Sequence, residues 1–323
     1  MGGNGAGKTS LLEAIHVLGL GRSFRASDGR VLIKSGADTA TLSGSVGSTV
    51  VGVGLAAGGL EIRIGGQYGS TAAELADLLP VQAIHAEIGG LVQGPPEARR
   101  RLLDWGVFHV EHRFLADWRK YRRALVQRNT ALRGGAADDL LAAWEAELAG
   151  AAIALDQARR SYLEKLKPAF ESIGARLLDE RASLRYSRGW PADADLGTLL
   201  REGRDKDRNG GYTRSGPHRA DLQFEIAEEK SRWRASKGQQ KLLASAVVLA
   251  QLDLVAQHRD RDIALLVDEP AADLDPARLS ALMAEIERSR AQLFIAAITA
   301  EGLPLGQAPR RFHVEHGQAK ALL

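Results

Sequence analysis

Gly2, Gly3, Asn4, Gly5, Ala6, Gly7, Lys8 and Thr9 fit the pattern G-x-x-x-x-G-K-[ST]. These types at this spacing suit phosphate binding. Glycines let backbone amides wrap one phosphate, lysine reaches the oxygens beyond it, and a hydroxyl coordinates magnesium. The loop, with Ser10 next to it, is expected to take ATP and Mg2+; the competing reading is an unrelated glycine turn. A second element argues for the first reading. The apolar run Ile263 to Val267 is followed by Asp268 and Glu269. Such a run marks a strand buried on both faces, and an open α/β sheet binds ligands at the C-terminal edge of its strands. Asp268 is expected to hold the metal and Glu269 to polarise the attacking water as general base; Lys8 is its catalytic companion on the phosphates. The alternative is that the two carboxylates cap the turn at Pro270. A third element, SKGQQKLL from Ser236 to Leu243, opens a strongly apolar helix. Ser236 at its N-cap, the Gly238 amide and Gln239 are placed to face an anion, although serine before a helix is ordinarily only a cap.

These residues need a scaffold. From Ser10 to Leu20 the residues Leu11, Leu12, Ile15 and Leu18 recur at helical spacing, so the loop runs straight into a helix that Gly19 and Gly21 end. Short β-branched runs between Asp38 and Gln67, separated by glycines, predict an antiparallel meander. From Pro95 to about Leu178 the pattern is helical. One face carries Phe114, Trp118, Tyr121 and Leu125, and another runs Leu141, Trp144, Leu148, Ala151, Leu155, Ala158 and Tyr162. Gly134 to Asp139 separates them, which reads as a helical hairpin packed on the body of the protein. From Asp221 strands and helices alternate, predicting a parallel sheet with helices on it. The expected fold is α/β: an ATPase lobe of 1–90 and 205–323, combining a mixed sheet with an antiparallel β-lobe, and an inserted helical lobe of 91–204.

Composition excludes more than it selects. The chain has 323 residues, 45% of them hydrophobic, enough for a sizeable core. With 43 Lys and Arg against 40 Asp and Glu, the net charge of +3 says nothing about partners. There is no cysteine, which removes disulfides, Cys-ligated zinc and thiol nucleophiles and suits a reducing cytoplasm. No targeting signal is visible, and the longest apolar stretch, Leu242 to Leu252, is short of the ~18 to 20 residues of a spanning helix. A cytoplasmic protein without membrane contact is expected.

The order of P-loop, signature and carboxylate strand resembles the ABC class of ATPases. In that class the signature of one subunit completes the ATP site of another, which implies a head-to-tail homodimer, with Ala271 to Asp275 in the place of the loop that crosses the interface. The chain resembles the RecF family more closely. The resemblance rests on LEAIHVLGLGRSFR (Leu12 to Arg25), GPPEARRRLLDWGVFHVE (Gly94 to Glu111), YTRSGPHRADL (Tyr212 to Leu222), SKGQQKLLASAVVLAQ and the stretch from Leu265 to Asp275. It implies an ATP-dependent dimer that binds gapped DNA at junctions of duplex and single strand, hydrolyses ATP slowly, and works with RecR and RecO in replication and recombinational repair. It also makes Gln82 a candidate for the glutamine that senses γ-phosphate and magnesium; a surface-strand glutamine is the equal alternative. Thr299, at the switch position after the last core strand, is a weaker candidate.

The rival reading is the nucleotide-binding subunit of an ABC transporter. Against it, about 225 residues separate Thr9 from Ser236, and SKGQQ departs from the transporter form LSGGQ. A Rad50-type protein is disfavoured by the lack of a long coiled coil and of a cysteine pair. An ATP-gated DNA clamp without turnover stays open. Between Glu97 and Arg133 stand ten basic residues (Arg99, Arg100, Arg101, Arg113, Arg119, Lys120, Arg122, Arg123, Arg128, Arg133) against four acids. They suit DNA phosphates, or else form a solvated face with local ion pairs. His218 and Arg219 can serve nucleotide or DNA, or close a turn. Finally, a P-loop normally hangs from a buried strand, whereas only Met1 precedes Gly2 here. Family members carry strands before this point, so either an upstream start or a truncation is expected, and the second would weaken the loop's anchor.

Overall fold

The computed structural model describes all residues except 27, 228, 231–234, 260, 261, 300–302, 307, 308 and 323. Its two compact units are Met1–Gly89 with Ala244–Leu323, and Gly90–Leu243.

In the first unit, helix α1 (Lys8–Leu20) serves two cores. Leu12 packs with Val81, Ala264, Leu266 and Ala296 of a parallel sheet, and Val17 packs with Val51, Val53, Leu55 and Ile62 of an antiparallel one. A helix gripped on two sides needs apolar residues around more than one stripe, as α1 has. The parallel sheet has the order β10 (Gln292–Ala296), β9 (Ala264–Asp268), β5 (Val81–Ile84). All five residues of central β9 are buried, as its unbroken apolar run requires. The antiparallel meander comprises β1 (Thr39–Val46), β2 (Thr49–Ala56), β3 (Gly59–Ile64) and the short β4 (Gln67–Tyr68). A C-terminal hairpin, β11 (Arg311–Glu315) with β12 (Gln318–Leu322), was not foreseen from sequence. Between meander and β5 lies α2 (Ala72–Leu78), whose start is fixed by a reciprocal Thr71 and Glu74 capping box.

After β9 the chain turns into α10 (Pro276–Arg288), where the Asp275 carboxylate accepts from the Arg278 amide at 2.9 Å. Pro276 at the first turn leaves one fewer amide to satisfy, so this cap carries much of the helix start. Asp275→Ala is expected to lower stability by about 1 kcal/mol. Urea denaturation monitored by circular dichroism checks this, and an unchanged midpoint would show the cap to be dispensable.

The second unit begins with one helical turn, α3 (Gly90–Gln93), then α4 (Pro96–Val110), α5 (Phe114–Arg133) and α6 (Asp138–Leu178). Helices α5 and α6 form the expected hairpin, closed by Phe114, Tyr121 and Leu132 on one side and Leu141, Leu148, Leu155 and Tyr162 on the other. Two short helices, α7 (Leu196–Glu202) and α8 (Arg204–Gly210), follow β6 (Ala182–Ser187). Arg128, fully buried, ties these parts together: it donates to Asp207 at 2.7 Å, Glu145 at 3.1 Å, Thr213 at 2.9 Å and the Leu200 carbonyl at 3.0 Å.

One expectation is corrected here. Asp221–Ile226 is β7, and it pairs antiparallel with β6 and with β8 (Glu229–Lys230) in a separate sheet, not in the parallel one. Only Leu222 and Phe224 of β7 are buried. That alternation is the mark of a strand covered on one face, whereas a central parallel strand is apolar throughout. Because β7 is bonded to β6, the second boundary falls at 243/244 and not at 204/205. Helix α9 (Lys237–His258) follows β8.

Candidate functional site

Sequence places Thr9 and Asp268 259 positions apart; the fold puts the Thr9 hydroxyl 2.9 Å from Asp268 Oδ2, donating to it. Asp268 ends β9, and Thr9 lies in the first turn of α1, which packs along β5 and β9. The loop leading into α1 uses backbone conformations open mainly to glycine. Gly5 has φ 77° and Gly7 φ 102°. Gly7 caps α1 without a side chain, so the helix presents free amide groups to an anion. A Cβ on Gly2 would stand 2.2 Å from the Val314 carbonyl oxygen, which no side chain tolerates.

Lys8 is 7% exposed, and its ammonium donates to the Gly2 and Gly3 carbonyls at 2.8 and 3.0 Å. Glu269 Oε1 lies 3.8 Å from it. Glu269 itself has φ 49°, a left-handed conformation that costs a non-glycine residue, and its amide donates to the Ala296 carbonyl at 3.0 Å. A left-handed residue at a strand end sends its Cα–Cβ bond in a direction that an extended backbone would not.

The residues present fit a hard divalent cation. Asp268 is buried, and its Oδ1 has no hydrogen-bond partner among the described residues. Burying a carboxylate oxygen with nothing to accept from is costly, and a cation is the partner its chemistry suits. Among the described residues no cluster of three His, Cys, Asp or Glu side chains has metal-holding geometry. A one-carboxylate, one-hydroxyl set suits magnesium, which is commonly bound by one or two protein oxygens together with water and phosphate.

Other expected site residues lie elsewhere. Gln82 is buried and donates to Gln251 Oε1 at 3.1 Å. It pairs with Leu265, three residues before Asp268 and so ~10 Å down the strand at ~3.3 Å per residue. The fold does not bring Gln82 to Thr9 and Asp268, and it is no surface glutamine either. The register carries His85, the residue after Ile84, to the level of Asp268. No motif in the sequence distinguished that histidine. Ser236 and Gln239 form a reciprocal cap at the start of α9, with Gln239 N to Ser236 Oγ 3.2 Å and Ser236 N to Gln239 Oε1 2.9 Å; Gly238 lies in its first turn. These three belong to the second unit. Thr299 follows Ile298, whose carbonyl accepts the Gly2 amide at 3.4 Å.

Also missed was the support of the loop by the C-terminal hairpin. The Met1 ammonium donates to the Phe312 carbonyl at 2.7 Å, Val314 N to the Met1 carbonyl at 2.7 Å, and Gly317 N to the Ala6 carbonyl at 2.9 Å. Backbone bonds leave no residue pattern, so nothing in the sequence announces them.

The arginine run is largely taken up inside the second unit. Arg99 pairs with Asp221 and donates to the Leu91, Val92 and Gly94 carbonyls; Arg100 donates to the Ala220 carbonyl, Arg101 pairs with Glu97 and Arg123 with Glu147. Arg128 is buried as described, and Arg133 donates to the Gly211 carbonyl. Arg113, Arg119, Lys120 and Arg122 are exposed and make no ion pair among the described residues.

Residues 1–320 match the family described as RecF/RecN/SMC N terminal domain. The "DNA replication and repair protein RecF" of Stutzerimonas stutzeri is 42% identical over 99% of this chain and 90% of its own length. The chain belongs to the RecF family. The RecF of Chromohalobacter salexigens is likewise 42% identical, over 98% of this chain and 91% of its own. The fold agrees: a solved structure of the recombination mediator protein RecF-ATP in the RecFOR pathway superposes with a TM-score of 0.88 at 24% identity, over 100% of this chain and 90% of that one. The Smc head bound to the C-winged helix domain of ScpA gives 0.54 at 18%, over 99% and 87%. Among the described residues of this RecF-family chain no helix is long and apolar enough to cross a membrane.

Proposed function

We propose that this chain is an ATP-dependent DNA-binding protein of replication and recombinational repair that hydrolyses ATP slowly. The observation that carries this reading is the meeting of Lys8, Thr9, Asp268 and Glu269 at one strand end. Lys8 leaves the Gly2 and Gly3 carbonyls for the β- and γ-phosphates, and the loop amides hold the β-phosphate. Thr9 and Asp268 hold magnesium, which when bound neutralises the charge that builds on the phosphate oxygens. Glu269 orients the attacking water and takes its proton. The names of the relatives and of the RecF-ATP structure support ATP and DNA repair over a transporter subunit.

In this reading Ser236, Gly238 and Gln239 complete the ATP site of a second copy, and the loop from Ala271 to Asp275 crosses between them. DNA with gaps or junctions of duplex and single strand is the substrate, RecR and RecO are the partners, and the cytoplasm is the compartment. Sedimentation velocity tests the dimer: ATP with gapped DNA is expected to convert monomer to dimer, and ADP to leave it monomeric. A monomer under conditions where ATP and DNA are both bound would refute it.

A further inference from the structure

The segment Tyr212 to Arg219 is pinned from its buried side. Thr213, 1% exposed, donates from its amide and hydroxyl to Asn129 Oδ1 at 2.8 and 2.7 Å, and its hydroxyl accepts from Arg128. His218 Nε2 meets the Thr213 carbonyl at 2.9 Å, and its Nδ1 meets the Tyr121 hydroxyl at 2.6 Å. The carbonyl can only accept, so Nε2 carries the proton and Tyr121 donates to Nδ1. Burial pushes His218 down to about 4, which keeps this neutral arrangement at physiological pH. Gly216, at φ 136°, donates to the Gly189 carbonyl, and a Cβ there would stand 2.7 Å from the Tyr121 oxygen.

The other side of the segment faces solvent. Tyr212 is 41% exposed, although its ring is large and apolar. The Arg219 guanidinium lies 5.1 Å from the ring centroid and that of Arg214 5.6 Å. Arg219 is exposed and makes no ion pair among the described residues. Arg214 has only a 3.9 Å approach to Asp207, whose other oxygen is committed to Arg128. Arg133 donates to the Gly211 carbonyl next to the ring. The buried bonds already fix the turn, so these three outward side chains are not needed to hold it.

We propose that Tyr212, Arg214 and Arg219 form a platform for single-stranded nucleic acid, on which Tyr212 stacks one unpaired base and the two arginines hold the flanking phosphates. The proposal rests on the DNA-binding reading above and gives it a place in the second unit. An exposed aromatic ring with two guanidinium groups over it suits an unstacked base, with the arginines swinging from the ring to the phosphates on either side. Duplex DNA offers only its phosphates to such a surface, because its bases are already stacked. The platform therefore discriminates single strand from duplex through Tyr212 and contributes charge to both through Arg219.

Fluorescence anisotropy with a labelled thymidine oligomer and a blunt duplex, on the full chain, tests this. Tyr212→Ala is expected to weaken the oligomer about tenfold and the duplex by less than about twofold, while Tyr212→Phe keeps wild-type affinity. Arg219→Ala is expected to weaken both and to lower the slope of log affinity against log salt by about one. An unchanged oligomer affinity for Tyr212→Ala, or an equal loss on oligomer and duplex, overturns the platform while leaving the DNA-binding reading in place. Failure of the wild-type chain to bind any DNA overturns both.

Discussion

Replacing Glu269 with glutamine is expected to cut ATP turnover by about 10²- to 10⁴-fold, the usual contribution of a general base, and to leave ATP affinity within a few fold. The argument is geometric. Glu269 follows the buried Asp268 directly, its left-handed backbone, tied to Ala296, sets the direction in which its side chain leaves the strand end, and its carboxylate lies 3.8 Å from the Lys8 ammonium. Glutamine keeps the shape and the hydrogen-bonding capacity but cannot accept the proton. Lys8, 3.8 Å away, loses a negative neighbour, so its attraction for the phosphates is kept or strengthened. Because Glu269 is 34% exposed, that ion pair is screened and its loss costs the fold little. The variant should accumulate with ATP bound and, in the proposed reading, as a dimer. Phosphate release and nucleotide retention on gel filtration measure both effects; turnover at the wild-type rate would remove Glu269 as the base.

Lys8→Ala should act earlier, on binding. The ammonium is buried and held by two carbonyls of its own loop, within reach of the phosphates the loop is shaped for. Hydrogen bonds to charged groups are worth about 1.5 to 3 kcal/mol each. Losing one such contact predicts an ATP affinity lower by about 10- to 150-fold, with turnover at background, with or without gapped DNA. The loop should survive, since Gly317 and Met1 brace it through backbone bonds that the substitution does not touch. Isothermal titration with ATP analogues decides the matter. An affinity within about threefold of wild type would mean that Lys8 stays with its carbonyls when nucleotide binds. Comparing the two variants separates binding from chemistry.

The ATP loop, the carboxylate strand and the Ser236 cap were legible in the sequence because each depends on neighbours along the chain. Glycines that permit positive φ, an unbroken apolar run and a serine just before a strongly apolar helix are local statements. The helical hairpin was legible for the same reason, through its spacing. The place of β7 was nearly so: Leu222 and Phe224 alternate with polar residues, which argues for a strand covered on one face, yet its partner β6 could not be named. Gln82 shows the limit more sharply. Its identity fitted a nucleotide sensor, but the register of β5 against β9 sets it three residues too deep and leaves His85 at the level of Asp268. The charge run shows it again, since Arg99 and Arg128 go to Asp221 and Asp207, both distant in sequence.

By itself, then, the sequence determined that a phosphate loop and an Asp-Glu strand end exist, and the RecF resemblance supplied the expectation of what they are for. Tertiary structure alone decided that Thr9 meets Asp268, that a C-terminal hairpin braces the loop, and that Tyr212 is left part-exposed with two arginines over its ring. The reason is physical: backbone conformation and periodicity are encoded by adjacent residues, whereas register, ion-pair choice and exposure depend on which remote segments pack together.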